Sequence, residues 1–354
     1  MFSLAPYSLD RAAKERFLTE VLTELTQHHL DRCPSYRRML DGIGFNLSKA
    51  THIAEFPFLP VRLFKEIALR SVPDGEVFKT MTSSGTTGQA VSRIYLDRET
   101  AGNQQKALVR IVSDFIGARR MPMLILDGPS VVKDRAMFSA RGAGILGFSI
   151  FGAEKVYALD DRMELDVVAV RAFLEKHRGQ PVLLYGFTFM VWKHFVQALF
   201  ELDEPLDLSK GILIHGGGWK KLAGESVSAE DFKRRLQEVC SLSRIHDSYG
   251  MVEQTGSISM ECECGHLHVS IFSDVIPRCA RDFSPCAIGE PGILEVVSIL
   301  PRSYPGHCLL TEDEGMVLGE DDCPCGRKGK YFKVMGRLGN AEIRGCSDTY
   351  AVSF

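Results

Sequence analysis

Short apolar strands alternate with amphipathic helices through the middle of the chain, and this alternation constrains the fold more than any other sequence feature. Three apolar runs that end in turns are predicted to be buried strands: Met121–Leu126, Pro181–Tyr185 and Gly211–His215. Apolar residues at helical spacing fall before, between and after them, at Arg98–Ile116, Leu165–Lys176 and Ala229–Cys240. Strands that alternate with helices indicate an α/β domain with a largely parallel sheet.

The two ends of the chain carry different patterns. Apolar residues recur at helical spacing from Leu9 to Leu40, which predicts an amphipathic helix broken near Pro34. From about Met260 the sequence is rich in Cys, Gly and Pro, and short strands such as Gly292–Val297 are predicted between turns. The 354 residues contain no repeat or linker that would divide them. We therefore expect one large α/β body with a β- and Cys-rich C-terminal part.

Charge and hydropathy argue against several classes of protein. With a net charge of −3 and no long basic run, the sequence gives no sign of a nucleic-acid or anionic-membrane surface. The longest uncharged apolar stretches, Ala143–Ala153 and Pro181–Trp192, are shorter than the ~20 residues of a membrane span. The N-terminal residues lack the apolar segment of a signal peptide. We expect a cytoplasmic protein whose ten cysteines are core thiols, metal ligands or nucleophiles rather than disulfides.

A segment rich in glycine and hydroxyl groups, TSSGTTGQ, runs from Thr82 to Gln89. Glycines let the backbone turn tightly, and consecutive amides with hydroxyls form a set of donors suited to phosphate oxygens. The Gly-Lys-Ser/Thr ending of a Walker A loop is missing. On these residues alone, phosphate binding and a polar turn before a strand at Arg93–Tyr95 are both open. The candidate phosphate ligands are Ser83, Ser84, Gly85, Thr86, Thr87 and Gly88.

Two Cys-x-Cys pairs, each followed by a glycine, form a candidate metal site: Cys262, Cys264, Cys323 and Cys325. Four thiolates suit a tetrahedral Zn²⁺, and His266 or His268 are alternatives for one of them. Because a closed four-ligand site leaves no position for a substrate, its predicted role is to hold the Cys-rich region at about 260–326 against the body. Reduced thiols in a turn-rich region are the competing interpretation.

Two further segments give the Ser/Thr/Gly segment a context. Tyr249-Gly250 precedes the lone acid Glu253, and an acidic turn that contains Asp313 follows a predicted strand. In order and spacing the three segments resemble the core motifs of adenylate-forming enzymes, which activate a carboxylic acid with ATP. The resemblance implies that the glycine-rich loop holds the β- and γ-phosphates and that Tyr249-Gly250 stacks on adenine. It further implies that Glu253 helps to hold Mg²⁺ and that Asp313 binds the ribose hydroxyls.

The same resemblance assigns two more segments. Gly216, Gly217 and Gly218 correspond to a glycine strand-end against the adenine, and Arg337, after Gly336, to an arginine that reaches the ribose or phosphate. Attack of a carboxylate on a phosphate requires charge neutralisation, which Mg²⁺ and a cationic side chain supply. In the superfamily that cation is a lysine of a C-terminal domain, which we expect to be lacking here or reduced to a short tail. The candidates for its replacement are Lys220, Lys221 and Arg93, and the sequence leaves the choice open.

Five segments are similar to the acyl-protein synthetase (LuxE-type) family, which is related to phenylacetate-CoA-ligase-like enzymes: Leu59–Lys65, Ser83–Gly88, Gly186–Met190, His215–Lys220 and Gly336–Ser347. Its members are the ligase subunits of fatty-acid reductase complexes. The resemblance covers almost the whole chain. It implies an ATP-dependent ligase that makes acyl-AMP from a fatty or related acid and then loads the acyl group onto its own cysteine near the C-terminus. The matching residue is Cys346.

The resemblance also implies a partner and a domain division. An acyl reductase (LuxC-type) subunit would take the acyl group from Cys346 and reduce it to the aldehyde. A thiolate is the competent nucleophile toward the acyl-AMP anhydride, and the neighbouring Arg344 would lower the pKa of the Cys346 thiol. We expect an adenylation core at 1–334, which binds ATP and the acyl group, and a short C-terminal tail at 335–354 that carries Cys346.

Alternatives remain for the acceptor and for the acyl site. An acyl- or aryl-CoA ligase of the phenylacetate type would use coenzyme A, and a non-catalytic scaffold would only bind nucleotide or zinc. Small and large apolar residues at Gly142–Gly152 and Gly186–Trp192 either line a channel for an acyl chain or belong to the core. Arg141, beside the first of these segments, is expected to be solvated.

Overall fold

A computed structural model describes residues 1–83, 91–132, 140–202, 205–219 and 226–338 of the chain. These residues form two compact units. The hairpin unit contains the described residues of 1–115 and 250–338, and the parallel-sheet unit contains those of 116–249.

Fourteen strands lie in the described ranges. They are β1 (Leu59–Pro60), β2 (Lys79–Thr82), β3 (Arg93–Leu96), β4 (Met121–Ile125), β5 (Gly152–Tyr157), β6 (Val182–Phe187), β7 (Gly211–Gly216), β8 (Arg244–Tyr249), β9 (Ser259–Glu261), β10 (Leu267–His268), β11 (Ser273–Arg278), β12 (Gly292–Ser298), β13 (Cys308–Glu320) and β14 (Lys330–Arg337).

Nine α-helices lie in the same ranges, and a π-helix at Val191–Val196 joins two of them. They are α1 (Arg11–Arg32), α2 (Pro34–Gly42), α3 (Leu63–Glu66), α4 (Arg98–Ile116), α5 (Ala140–Phe148), α6 (Val167–Lys176), α7 (Thr188–Met190), α8 (Gln197–Phe200) and α9 (Ala229–Cys240). Side-chain oxygens of Asp10, Asp166 and Ser228 cap α1, α6 and α9, because each accepts a hydrogen bond from a free first-turn amide. Every helix of the described residues is too short or too polar to span a bilayer.

The parallel-sheet unit is the predicted α/β body. Its strands lie in the order β8-β7-β6-β4-β5, and every neighbouring pair is parallel. All residues of β6 and β7 are buried, which explains why these strands appear as unbroken apolar runs. Leu184, Leu213, Phe232 and Leu236 belong to the core that joins these strands to α9.

The hairpin unit contains an antiparallel sheet in the order β11-β12-β13-β14-β10-β9, with β1 parallel to β13 and a separate pair β2-β3. The predicted break near Pro34 is confirmed, because α2 begins there. The thirteen residues of β13 exceed the short strands that the sequence predicted. The polar run Thr311–Glu314 was predicted to be a turn. It lies within β13 instead, with several side chains only partly buried.

Candidate active site and candidate metal centre

The stem of the Ser/Thr/Gly segment lies in the hairpin unit between β2 and β3. The Ser83 amide donates to the Ser92 carbonyl oxygen at 3.2 Å, and the Ser92 amide donates to Ser83 Oγ at 2.9 Å. The two ends of the segment are therefore fixed next to each other. Of the candidate phosphate ligands only Ser83 is described, and 84–88 lie outside the described residues.

Glu253 is a buried carboxylate on a short 3-10 turn, Val252–Gln254, with 6% of its surface exposed. Burial raises the pKa of Glu253, whereas the Ser92 hydroxyl and the positive charges of Lys65 and Arg337 lower it. The Glu253 carbonyl oxygen accepts a hydrogen bond from the Tyr304 hydroxyl at 2.7 Å, which fixes the turn. Carboxylate oxygens are the ligands that a hard cation such as Mg²⁺ prefers, so Glu253 is suited to bind one beside phosphates.

Asp313 and Arg337 are cross-strand partners on β13 and β14. Arg337 Nε lies 3.4 Å from Asp313 Oδ1, and the two side chains are 45% and 17% exposed. A ligand can therefore reach this pair without unfolding the strands. On the neighbouring residue of β13, Glu312 pairs with Arg62 at 3.2 Å.

The glycines predicted to face adenine lie in the parallel-sheet unit, where β7 ends. A Cβ on Gly216 would lie 2.5 Å from the Ser248 carbonyl oxygen, and one on Gly217 would lie 2.6 Å from the Phe187 ring. Gly217 and Gly218 have φ values of +83° and +63°, which favour glycine. These three positions therefore need glycine for the backbone itself. Tyr249 is the last residue of β8.

His215, just before those glycines, is a buried polar residue to which the sequence assigned no role. The Thr188 hydroxyl donates to the Gly216 carbonyl oxygen at 3.1 Å, so His215 Nδ1–H donates to Thr188 Oγ1 at 2.9 Å. Burial, with the positive charges of Lys233 and His246, lowers the pKa of His215 to about 3. The neutral ring presents Nε2 as a buried acceptor that has no hydrogen-bond partner among the described residues.

Arg141 is buried, so the expectation of a solvated arginine is wrong. Its Nε lies 3.1 Å from Asp127 Oδ2, and both side chains are almost fully buried. Burial raises the pKa of Asp127 to about 6, against the charge of Arg141 and a hydrogen bond from the Gly128 amide. Asp127 follows β4 directly, and the ion pair explains how a guanidinium enters this interior.

The apolar segments beside Arg141 are packed against each other. Gly144 of α5 lies so close to β6 that a Cβ there would be 2.8 Å from the Tyr185 hydroxyl and 3.0 Å from the Phe187 ring. Phe148 stacks on Tyr185 with ring centroids 4.2 Å apart. Of the two interpretations of these segments, this packing favours the core.

Three of the four predicted thiols lie together with one histidine. The ligand atoms of Cys262, Cys323, Cys325 and His268 all lie within 4.8 Å of one another, and we call these four residues the Cys/His cluster. The Cys262 and Cys323 sulfurs are 3.9 Å apart, and Cys325 Sγ lies 3.4 Å from His268 Nε2. Cys264 is exposed and is not part of the cluster.

The turn between β9 and β10 explains why His268, and not Cys264, belongs to the cluster. The Cys264 amide points inward and donates to Cys262 Sγ at 3.4 Å, while the Cys264 side chain is exposed. His268, which the sequence offered as an alternative ligand, is fully buried in β10.

Two predicted catalytic residues, Cys346 and Lys220, lie outside the described residues, as does the alternative cation Lys221. Ser83, Glu253 and the Asp313–Arg337 pair all lie in the hairpin unit. Ser92 gave no sequence signal of its own, because a single serine at a strand start is ordinary.

A sequence model of the family described as "Acyl-protein synthetase, LuxE" matches residues 1–354. The chain belongs to this family. Curated relatives of this acyl-protein synthetase include the long-chain-fatty-acid–luciferin-component ligase of Aliivibrio fischeri, 23% identical over 98% of this chain and 91% of the relative. The ligase of the same name from Vibrio harveyi is 21% identical over 100% of this chain and 92% of the relative. The prediction of a ligase of this family is confirmed.

Solved structures show how this acyl-protein synthetase folds. An open conformation of 2-hydroxyisobutyryl-CoA ligase, in complex with 2-HIB-AMP and CoA, matches with a TM-score of 0.72 and 17% identity, over 94% of this chain and 77% of that chain. The same ligase in its postadenylation state matches with a TM-score of 0.71 and 16% identity, over 94% and 69% of the two chains. The predicted fold of an adenylate-forming enzyme is confirmed.

Proposed function

We propose that this acyl-protein synthetase activates a long-chain fatty acid or a related carboxylic acid as acyl-AMP and then carries the acyl group as a thioester on Cys346. Family membership supports a ligase, and the names of its curated relatives support a long-chain fatty acid as substrate. The observation that carries the proposal is the buried carboxyl group of Glu253 in the hairpin unit, which also contains the Asp313–Arg337 pair.

Two steps account for the chemistry. A carboxylate oxygen of the acid attacks the α-phosphorus of ATP, and the bond from that phosphorus to the β-phosphate oxygen breaks, which releases pyrophosphate. The Cys346 thiolate then attacks the acyl carbon, and AMP leaves with the electron pair of the anhydride bond. An acyl reductase partner would take the acyl group from this sulfur.

The described residues have separate tasks in the first step. Glu253 would hold Mg²⁺, which supplies charge neutralisation when bound. Asp313 would accept hydrogen bonds from the ribose hydroxyls, and Arg337 would hold Asp313 in place and attract phosphate. The loop 84–88 would bind the β- and γ-phosphates, the glycines Gly216, Gly217 and Gly218 would face the adenine, and Tyr249-Gly250 would stack on it.

A cationic side chain that neutralises charge in the first step is part of the proposal. Lys220, with Lys221 and Arg93, is the candidate from the sequence. Lys65 is a further candidate, because its charge acts on Glu253. Single alanine variants of the four residues, compared by ATP–pyrophosphate exchange, would identify it as the variant with the largest loss.

A mass-spectrometric experiment tests the two steps together. The purified chain is incubated with ATP, Mg²⁺ and a panel of fatty acids, and the intact mass is measured before and after hydroxylamine treatment. We expect a hydroxylamine-labile acyl adduct that is lost in Cys346→Ser and kept in Cys279→Ser, a control at a partly exposed cysteine.

Other outcomes would assign a different function. Free acyl-CoA without an adduct, when coenzyme A is added, would support an acyl-CoA ligase. No pyrophosphate exchange with any acid would support a non-catalytic scaffold.

We also propose Zn²⁺ as a structural cofactor of the Cys/His cluster. Thiolate and imidazole are its usual ligands in closed sites, and three of the four ligand residues are buried.

A further inference from the structure

We infer that the metal ion of the Cys/His cluster fixes the first ten residues of the chain, so that metal binding and order of this N-terminal arm are coupled. The inference rests on the proposed structural metal and is independent of the proposed acyl transfer.

The spacing of the ligand atoms fits one tetrahedral ion. With Zn–S near 2.3 Å and Zn–N near 2.0–2.1 Å, tetrahedral angles place two sulfurs about 3.8 Å apart and a sulfur and a nitrogen about 3.6 Å apart. The observed separations are 3.9 Å for Cys262 and Cys323 and 3.4 Å for Cys325 and His268. These separations therefore match the coordination of one tetrahedral ion.

Rigid backbone positions these ligands. Cys262 and Cys323 each begin a tight turn in which a glycine amide donates to the cysteine carbonyl oxygen, Gly265 at 2.9 Å and Gly326 at 3.0 Å. Both glycines have φ near +80°, which favours glycine. His268 lies on β10 opposite Tyr331 of β14, and their rings are stacked with centroids 5.6 Å apart. One ion would thus join the β9–β10 turn to the β13–β14 turn.

The second of these turns also holds the end of α4. Arg327, two residues after Cys325, places Nε 2.9 Å from Asp114 Oδ1 and Nη1 3.0 Å from Glu263 Oε2. Its guanidinium carbon lies 4.0 Å from the centre of the Phe115 ring and 5.7 Å from that of Tyr7. Arg327 keeps this position only while the turn that carries Cys325 is held.

The N-terminal arm depends on the same elements. Tyr7 is buried, its ring lies edge-on to His268 at 6.1 Å, and its carbonyl oxygen accepts a hydrogen bond from the Lys328 amide at 3.1 Å. The Pro6 carbonyl oxygen accepts from the Ile271 amide, three residues after His268, at 2.8 Å. The contacts of Pro6 and Tyr7 therefore come from residues near metal ligands, whereas Arg110 of α4 donates to the Leu4 carbonyl oxygen at 2.6 Å. Loss of the metal should free the arm around Pro6 and Tyr7.

Hydrogen exchange and limited proteolysis of the full-length chain test the coupling. The reduced protein is compared as loaded with one equivalent of Zn²⁺ and after treatment with a chelator. We expect amides of 1–10 to exchange, and trypsin to cut after Arg11, at least 10-fold faster without metal, while β6 stays protected in both forms. Equal rates in the two forms, or no metal retained by the purified protein, would overturn the inference.

Variants separate the ligand set from the coupling. Cys325→Ser should lose the metal, whereas the matched variant Cys264→Ser should keep one ion per chain and the tetrahedral visible spectrum of bound Co²⁺. Arg327→Ala should keep the metal yet release the arm. Equal metal loss in Cys264→Ser and Cys325→Ser would contradict the proposed ligand set. An arm still protected in Arg327→Ala would contradict the proposed coupling. Should Cys325→Ser fail to fold, Cys264→Ser and Arg327→Ala still decide. None of these readouts requires ATP or an acyl group, so failure of acyl transfer would leave them unaffected.

Discussion

The two ends of the β13–β14 hairpin differ in their access to solvent: one carries a buried cluster of metal ligands and the other an exposed ion pair. At the turn, Cys323 and Cys325 meet a buried histidine in a set of ligands that is closed to substrates. Seven residues back along β13, Asp313 meets Arg337 in a pair that solvent reaches. The closed end suits a permanent structural ion, and the open end suits a ligand that must bind and leave.

Distance keeps the two ends separate. Seven residues of strand span about 23 Å at ~3.3 Å per residue. A metal at the turn therefore makes no contact with a nucleotide held by Asp313. Changes at the open end should alter activity, and changes at the closed end should alter stability.

The largest effect is expected from Glu253→Gln, near the open end. The substitution keeps the shape of the side chain and removes the charge that would hold Mg²⁺. We expect ATP–pyrophosphate exchange to fall by about 100-fold or more, as when one electrostatic group of an active site is removed. Glu314→Gln, on β13, is the control and should exchange normally. A Glu253→Gln variant with near-normal exchange would remove this residue from the proposed site.

Metal removal is the corresponding change at the closed end. We expect a loss of about 2 kcal/mol in the free energy of unfolding, which lowers Tm by several degrees. The rate of pyrophosphate exchange at 20 °C should change by less than about 3-fold, because no ligand of the cluster contacts the nucleotide. Calorimetry and exchange on the same metal-free sample check both numbers. A large loss of exchange rate without a change in Tm would show that the closed end affects activity rather than stability.

A smaller effect is expected from Asp313→Asn. The amide weakens the hydrogen bonds to ribose and the pair with Arg337, so the KM for ATP should rise about 10-fold, or ~1.4 kcal/mol, with little change in kcat. Glu312→Gln is the matched control, because that carboxylate pairs with Arg62 instead. If both variants raise KM equally, the role of Asp313 is not specific.

Local patterns allowed much of the fold to be predicted from the sequence. The bounds of α4 and α9 were predicted to the residue from apolar residues at helical spacing. In the structure, Asp97 and Ser228 accept hydrogen bonds from first-turn amides. Polar side chains in the middle of β13 made that strand resemble a turn.

The sites depended on contacts between distant residues. Arg141 is buried because Asp127, fourteen residues earlier, neutralises it, and no spacing rule announces such a pair. His268 replaces Cys264 because the turn after Cys262 exposes the second thiol. Ser92 stands next to Glu253 only in the folded hairpin unit.

A pH experiment tests a third region, the start of β13, which lies several residues before Asp313. His307, directly before Cys308, is buried, and burial lowers its pKa to about 3. Its Nε2 lies 3.1 Å from Thr26 Oγ1 of α1, and its ring stacks on His29, whose pKa is also lowered by burial. Below pH 6.5 these histidines bind protons in the unfolded chain but stay neutral in the folded chain, so the free energy of unfolding falls as pH falls.

The slope of the free energy of unfolding against pH tests this prediction. Each of the two histidines should contribute up to about 1.4 kcal/mol of lost stability per pH unit well below pH 6.5. His307→Gln cannot titrate, so its free energy of unfolding, measured in urea between pH 7.5 and 5, should fall less steeply than that of the wild type, by about one proton. Both proteins keep the Cys/His cluster, so metal release at low pH affects them alike and cancels in the difference. Identical slopes would show that the start of β13 is not anchored by a neutral histidine.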